Sequence, residues 1–201
     1  MALKPTNKLP APPPDLAKRP LPLKRVQGAI FRIHRKNQPC LHFGKNISER
    51  FDDPLGNYGV LYGAMRPEAS FAEVFLRRLS LMLVQESDLI ERCLSRIECR
   101  ALRCVDLTGA GLRKVSCDNR ITTEKPYHTV GLWSQAFFEH PLKPHGILYR
   151  SRHNPRFVCL ALFDHCQANL TLRLTESLMA EPRRKWTINQ IAKYNLAIEP
   201  M

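Results

Sequence analysis

The sequence predicts a single α+β domain preceded by a short proline-rich arm, and three observations carry that prediction. Short runs rich in branched and aromatic residues alternate with stretches of helical periodicity, but not in the strict order of a doubly wound sheet. The chain has 201 residues, 44% of them hydrophobic, which is enough for one sizeable core. Seven of its 16 prolines precede residue 23, where they fix φ and remove backbone donors.

The arm, residues 1–25, carries Lys4, Lys8, Lys18, Arg19, Lys24 and Arg25 against Asp15 alone. It reads as a solvated, disordered, partly polyproline II linker, and the body spans 26–201. Strands are expected at 28–33, 59–63, 99–106, 146–150, 157–163 and 169–174, the last alternating Leu170, Leu172 and Leu174 with Thr171 and Arg173. Helices are expected at 67–83, 87–97, 129–139 and 187–194. The first opens on Pro67 and Glu68, a favourable first turn, and would bury Phe71, Val74, Phe75 and Leu79. The second places Leu89, Ile90, Cys93, Leu94 and Ile97 on one face. The third, with Leu132, Trp133, Ala136 and Phe137, must stop before Pro141. Flanking helices on a small mixed or antiparallel sheet are the expected architecture.

Composition excludes several classes. The longest apolar run, Phe157 to Phe163, is far short of the roughly 20 residues that span a bilayer. The amino terminus has prolines where a secretion signal has its apolar stretch. The seven cysteines form no C-x-x-C pair, so reduced thiols in a cytoplasm fit best. A net charge of +13 favours anionic partners.

Local motifs are weak singly. Asp106 to Gly111 follows a strand, but Lys114 stands where a dinucleotide fingerprint needs Gly or Ala, so the segment is a turn. Cys159 and Cys166 flank His165, but a lone cluster of this kind is more often core and turn, and no metal is expected. Ser151 near His153 lacks the G-x-S-x-G elbow of a serine hydrolase. Two charges stand out because they interrupt apolar runs: Arg32 in Ala29–Ile33 and Glu73 in Ser70–Phe75. Buried unpaired, either would be costly. Their ordinary readings are an edge-strand side chain facing water and an exposed i,i+4 pair with Arg77.

An ordered set of segments joins them. Phe31-Arg32-Ile33, Tyr58 to Ala64, Ala69 to Glu73, Asp106 to Gly109, Gly146 to Arg152 and Ala161 to Phe163 together resemble the RES domain family over about 26–175. The resemblance implies a fold related to ADP-ribosyltransferase toxins and an activity that consumes NAD, by phosphorolysis, hydrolysis or ADP-ribosyl transfer. NAD would be the substrate, phosphate a possible co-substrate, and no resident cofactor is implied. It further implies a toxin neutralised by a helix-turn-helix antitoxin, as many members are. The arginine, glutamate and serine that name the family fall on Arg32, Glu73 and Ser151. A second arginine and a tyrosine of its pocket fall on Arg50 and Tyr62, with Tyr58 a weaker candidate. Members commonly carry Gly-Gly-Arg-Trp around the second arginine, whereas this chain has Ser48-Glu49-Arg50-Phe51.

The chemistry asks for such a set. The nicotinamide nitrogen of NAD is already positive, so cleavage releases a neutral leaving group and builds oxocarbenium-like charge on the ribose. One carboxylate then suffices where O-glycosidases need two. Glu73 would face that charge or steer the nucleophile, and Arg32 would offer a planar fork to the pyrophosphate. Tyr62 would supply an aromatic face, and the Ser151 hydroxyl would fix the sugar or the carboxylate. From another class, the basic charge and the missing glycines fit a catalytically inactive nucleic-acid-binding or protein-interaction module. No predicted strand shows the basic–aromatic alternation of an RNA-binding sheet.

Overall fold

A long antiparallel pair organises the molecule in the computed structural model, which describes residues 8–77 and 82–200. Strand β1 (Leu23–Arg35) runs against β4 (Arg92–Asp106) along its whole length, from Leu23 opposite Val105 to Arg35 opposite Arg92. A bulge between Val26 and Gly28 bends the pair, and Gly28 takes the positive φ of 93° that an L side chain rarely adopts. Strand β2 (Val60–Ala64) leaves β1 at Phe31 opposite Ala64 and pairs with β6 (Val158–Phe163). Strand β6 pairs in turn with β5 (Gly146–Arg150), which lies parallel to the end of β4. The order β1-β2-β6-β5-β4 therefore closes on itself, and β7 (Leu170–Ser177) is added outside the ring on the first half of β4.

Closure removes most free edges and encloses an apolar interior of Val26, Ile30, Leu61, Ile97, Leu102, Leu148, Leu160 and Leu162. A second core forms on the outer face of β5 and β6, where helix α5 (His128–Glu139) lays Val130, Trp133 and Phe137 over Ile147, Tyr149 and Phe163. A third joins α1 (Pro67–Phe75) to Ile33, Leu94 and α6 (Arg183–Lys193), with Phe71 against Trp186 and Tyr194. The remaining short elements, in chain order, are β3 (Leu83–Gln85), α2 (Glu86–Ile90), α3 (Ala110–Lys114), α4 (Arg120–Thr123) and β8 (Ala197–Glu199), which pairs parallel with β3. No helix among the described residues is long and apolar enough to cross a membrane.

The α+β architecture and all six expected strands are present. Three expectations need correction. The helix expected at 87–97 ends at Ile90, and residues 92–97 open β4 instead. Cys93, Leu94 and Ile97 fit a helical stripe, but pairing with β1 on one side and β7 on the other overrides local periodicity. The helix expected at 67–83 ends at Phe75; residues 78–81, and with them Leu79, lie outside the described residues. The half-buried face expected of β7 is largely open: Leu170 is buried, but Leu172 and Leu174 are exposed because β7 extends beyond the ring.

The largest correction concerns the arm. Residues 1–7 lie outside the described residues, but from residue 8 the chain is not a solvated tether. Leu9, Leu16 and Leu21 are buried in the core over α5. The Trp133 indole donates to the Pro10 carbonyl at 2.8 Å, and Leu23 to Arg25 are already paired in β1. Proline density leaves only a single 3₁₀ turn there, Leu16–Lys18, but three spaced leucines still anchor an irregular strap.

Candidate functional site

A cleft of about 640 Å³ opens between the start of β2, the inner end of α1 and the loops after β1 and β5. Four of the six expected site residues line it: Arg32, Arg50, Tyr62 and Glu73. Among the described residues seven cations border it, the others being Arg35, Arg77, Arg92, Lys125 and Arg152, against three carboxylates, Glu49, Asp52 and Glu73. Such a surplus attracts an anionic ligand.

Glu73 reaches the cleft because α1 starts directly after β2 and is tied to β1, the Ser70 hydroxyl donating to the Phe31 carbonyl at 2.8 Å. Its Oε1 is buried without a hydrogen-bond partner among the described residues. The expected i,i+4 ion pair is not what occupies Arg77, which donates to the Glu73 main-chain carbonyl at 2.7 Å and pairs with the Glu49 carboxylate at 2.6 Å. Behind Glu73, burial and then the glutamate's own charge push the Cys159 thiol well above its ordinary range. A buried acceptor left open in a cleft is a position held for something else.

Arg32, on β1, donates to the His42 carbonyl at 3.0 Å and is paired with no carboxylate among the described residues. Burial lowers its pKa from the ordinary value, the mark of a guanidinium stripped of water without compensating charge. It is not the edge-strand cation facing water that its sequence context first suggests. Arg50 is buried; it donates to the Glu124 carbonyl at 3.2 Å and lies over the Tyr127 ring at 4.8 Å. The glycines absent before it are replaced by a different device: the Ser48 and Glu49 amides both donate to the Asp52 carboxylate, at 3.0 and 2.8 Å. Asp52 also accepts from the Tyr62 hydroxyl at 2.9 Å, which itself accepts from the Phe51 amide at 2.8 Å. Burial, then Asp52, hold that phenol protonated by raising its pKa well above the usual value. Tyr62 therefore presents its ring to the cleft with its hydroxyl already engaged.

Ser151 does not line the cleft. It is 1% exposed, and its Oγ accepts from the His153 and Asn154 amides at 3.1 and 3.2 Å. The serine thereby fixes the turn that presents Arg152 and His153 to the cavity. Tyr58 is not a site residue at all: it stacks on Phe138 at 4.0 Å between centroids and donates to the Ser134 hydroxyl at 2.9 Å inside the core. Conversely, Arg77, Tyr127, Tyr149, Arg152 and His153 face the cleft without having been singled out for it. His153 carries a buried, unpartnered Nδ1, and burial together with Arg152, Arg77, Arg50 and Lys125 holds its pKa down to about 4. The imidazole is neutral at pH 7. The only available sequence signal for Arg152 and His153 was their place beside Ser151.

Among the described residues no three His, Cys, Asp or Glu side chains come together as a metal site. The arrangement suits a ligand that is polyanionic at one end and develops positive charge at the other, near a lone carboxylate.

Comparison with known proteins agrees with the fold. Among solved structures, the MbcT–MbcA toxin–antitoxin complex of M. tuberculosis contains a similar chain, with a TM-score of 0.66 and 19% identity over 83% of this chain and 92% of that one. At that identity the likeness bears on the fold alone. No curated protein matches significantly. The RES domain family model matches residues 29–184, well over half of the sequence, and takes in Arg32, Arg50, Tyr62, Glu73 and Ser151. The chain belongs to the RES domain family.

Proposed function

We propose that this chain cleaves the nicotinamide–ribose bond of NAD and acts as a toxin restrained by an antitoxin of the helix-turn-helix kind. The observation that carries the reading is the Glu73 carboxylate, with one buried oxygen unpartnered among the described residues, in a cleft that seven of those residues border with positive charge. Arg32 and Arg50 would take the pyrophosphate, replacing its lost hydration with charge-assisted bonds. The C1′–N bond breaks with its electron pair going to nicotinamide, which leaves neutral. Glu73 stabilises the cationic sugar, and an oxygen of water, phosphate or a protein side chain adds to C1′. Tyr62 and Tyr127 would wall the planar groups, and Ser151 would act through the turn it holds. The antitoxin partner is carried over from the complex in which the similar fold occurs.

The rival reading as an inactive basic module loses one support, because residues 8–25 are packed on the body rather than free to reach nucleic acid. The test is to incubate purified protein with NAD, with and without phosphate, and to identify free nicotinamide and the ADP-ribosyl product by mass spectrometry. Glu73→Gln, which keeps size and removes charge, should cut turnover by about 10²–10⁴ in a folded protein. Absence of nicotinamide under every condition, or near-normal turnover by the variant, would overturn the proposal.

A further inference from the structure

We infer that residues 8–10 are a positioning element of the cleft, acting through Glu124 on Arg50. The inference rests on the dinucleotide reading of the cleft above. Arg50 projects from an irregular loop, and its guanidinium is held by the segment opposite: Nη1 donates to the carbonyls of Glu124 at 3.2 Å and Ile121 at 3.5 Å, and the group lies over Tyr127. That segment, 120–127, contains one four-residue helix and no strand, so little of its own backbone bonding fixes it. Lys125 and Tyr127 within it line the cleft.

What fixes the segment from behind is the strap. The Leu9 amide donates to the Glu124 carboxylate, and Arg120 Nη1 donates to the Lys8 carbonyl at 2.6 Å. Pro10 accepts from Trp133 of α5, and the Leu9 side chain is buried in the same apolar cluster as Ile121 and Phe51. Glu124 is thus clamped on two sides, its carboxylate by Leu9 and its main-chain carbonyl by Arg50. Residues 8–10 do not touch the cleft, and they lie outside the family match at 29–184. The strap thus lies outside the matched domain and packs on it from behind.

Releasing it should loosen the acceptors of Arg50 while leaving Glu73, on α1, in place. Binding should therefore weaken more than chemistry. The test uses the full chain with Leu9→Asp, which sets a carboxylate beside Glu124 inside the cluster, with Glu124→Ala, which removes the acceptor, and with Glu124→Gln, which retains one. KM and kcat for nicotinamide release are measured beside hydrogen exchange of amides 121–127. Leu9→Asp and Glu124→Ala should each raise KM roughly 10-fold with kcat within about twofold, and Glu124→Gln should stay near the parent. Exchange at 121–127 should accelerate in both disrupted variants, and the double variant should be little worse than the worse single one. Unchanged KM, additive effects, or a fall in kcat and thermal stability without a KM change would overturn the inference. If Leu9→Asp does not fold, the Glu124 pair decides. Should the parent protein release no nicotinamide, the functional reading fails, and exchange at 121–127 alone decides whether the clamp exists.

Discussion

Replacing Glu73 by methionine separates what the cleft costs the fold from what it gives to chemistry. The side chain is of similar length and unbranched, so the packing on α1 beside Phe71 and Val74 is preserved. The native Oε1 is buried with no hydrogen-bond partner among the described residues, and an unsatisfied buried acceptor costs about 1–3 kcal/mol. Part of that cost is offset by attraction to Arg50 and Arg77, whose titration its charge raises. Removing the carboxylate should therefore leave stability unchanged or raise it by about 1 kcal/mol, which for a domain of this size is a Tm increase of about 2–4 °C. Thermal melts of the unliganded protein read the first effect, and nicotinamide release reads the second, with turnover expected to fall by at least about 10². A Tm drop beyond about 5 °C would mean that Glu73 is a structural partner of the surrounding cations, and that the open oxygen is incidental.

Arg32→Lys should raise the KM for NAD, because a point charge cannot make the two parallel bonds of a guanidinium to phosphate oxygens; equal KM would make Arg32 an electrostatic or structural residue only. Leu16→Ala should cost about 2–5 kcal/mol because Leu16 is 2% exposed in the core, whereas a change within about 0.5 kcal/mol in chemical denaturation would show that the strap is not packed. His153 supplies a pH dependence. Its folded pKa of about 4 lies below the ordinary 6.5, so between these values the unfolded chain binds a proton that the folded one does not. Stability should then be lost as pH falls from 6.5 towards 4, by roughly 1–2 kcal/mol because solvent screens the half-buried ring, and His153→Gln should flatten that slope in melts across the range. An unchanged slope would show that His153 is not the group responsible.

The fold was legible wherever local pattern and tertiary partner agree. Gly146–Arg150 is a short strand flanked on both sides by others, and its apolar run leaves no helical alternative. The failures come where partners arrive from far along the chain. Residues 92–97 satisfy a helical stripe and a strand equally well, and pairing with β1, earlier in the chain, and β7, later in it, decides between them. The strap was misread for a related reason. Leu9, Leu16 and Leu21 follow no period, because each drops separately into a surface built by α5 and its neighbours.

The site divides along the same line. Arg32 and Glu73 were visible because each places a charge in an apolar run, and both turn out to be drawn into the cleft. Tyr58 and Tyr62 differ little in local pattern, since both are aromatic and lie close together, Tyr62 within β2 and Tyr58 just before it. Helix α5 separates them by supplying Phe138 and Ser134 to one, while Asp52 claims the hydroxyl of the other. Arg77 was hidden more completely, because its partner Glu49 lies 28 positions away rather than four. That long pair leaves the Glu73 carboxylate without its helical neighbour. A surface i,i+4 bridge would have satisfied Glu73 at the expense of the cleft, so the contact that periodicity could not foresee is also the one that keeps this carboxylate available.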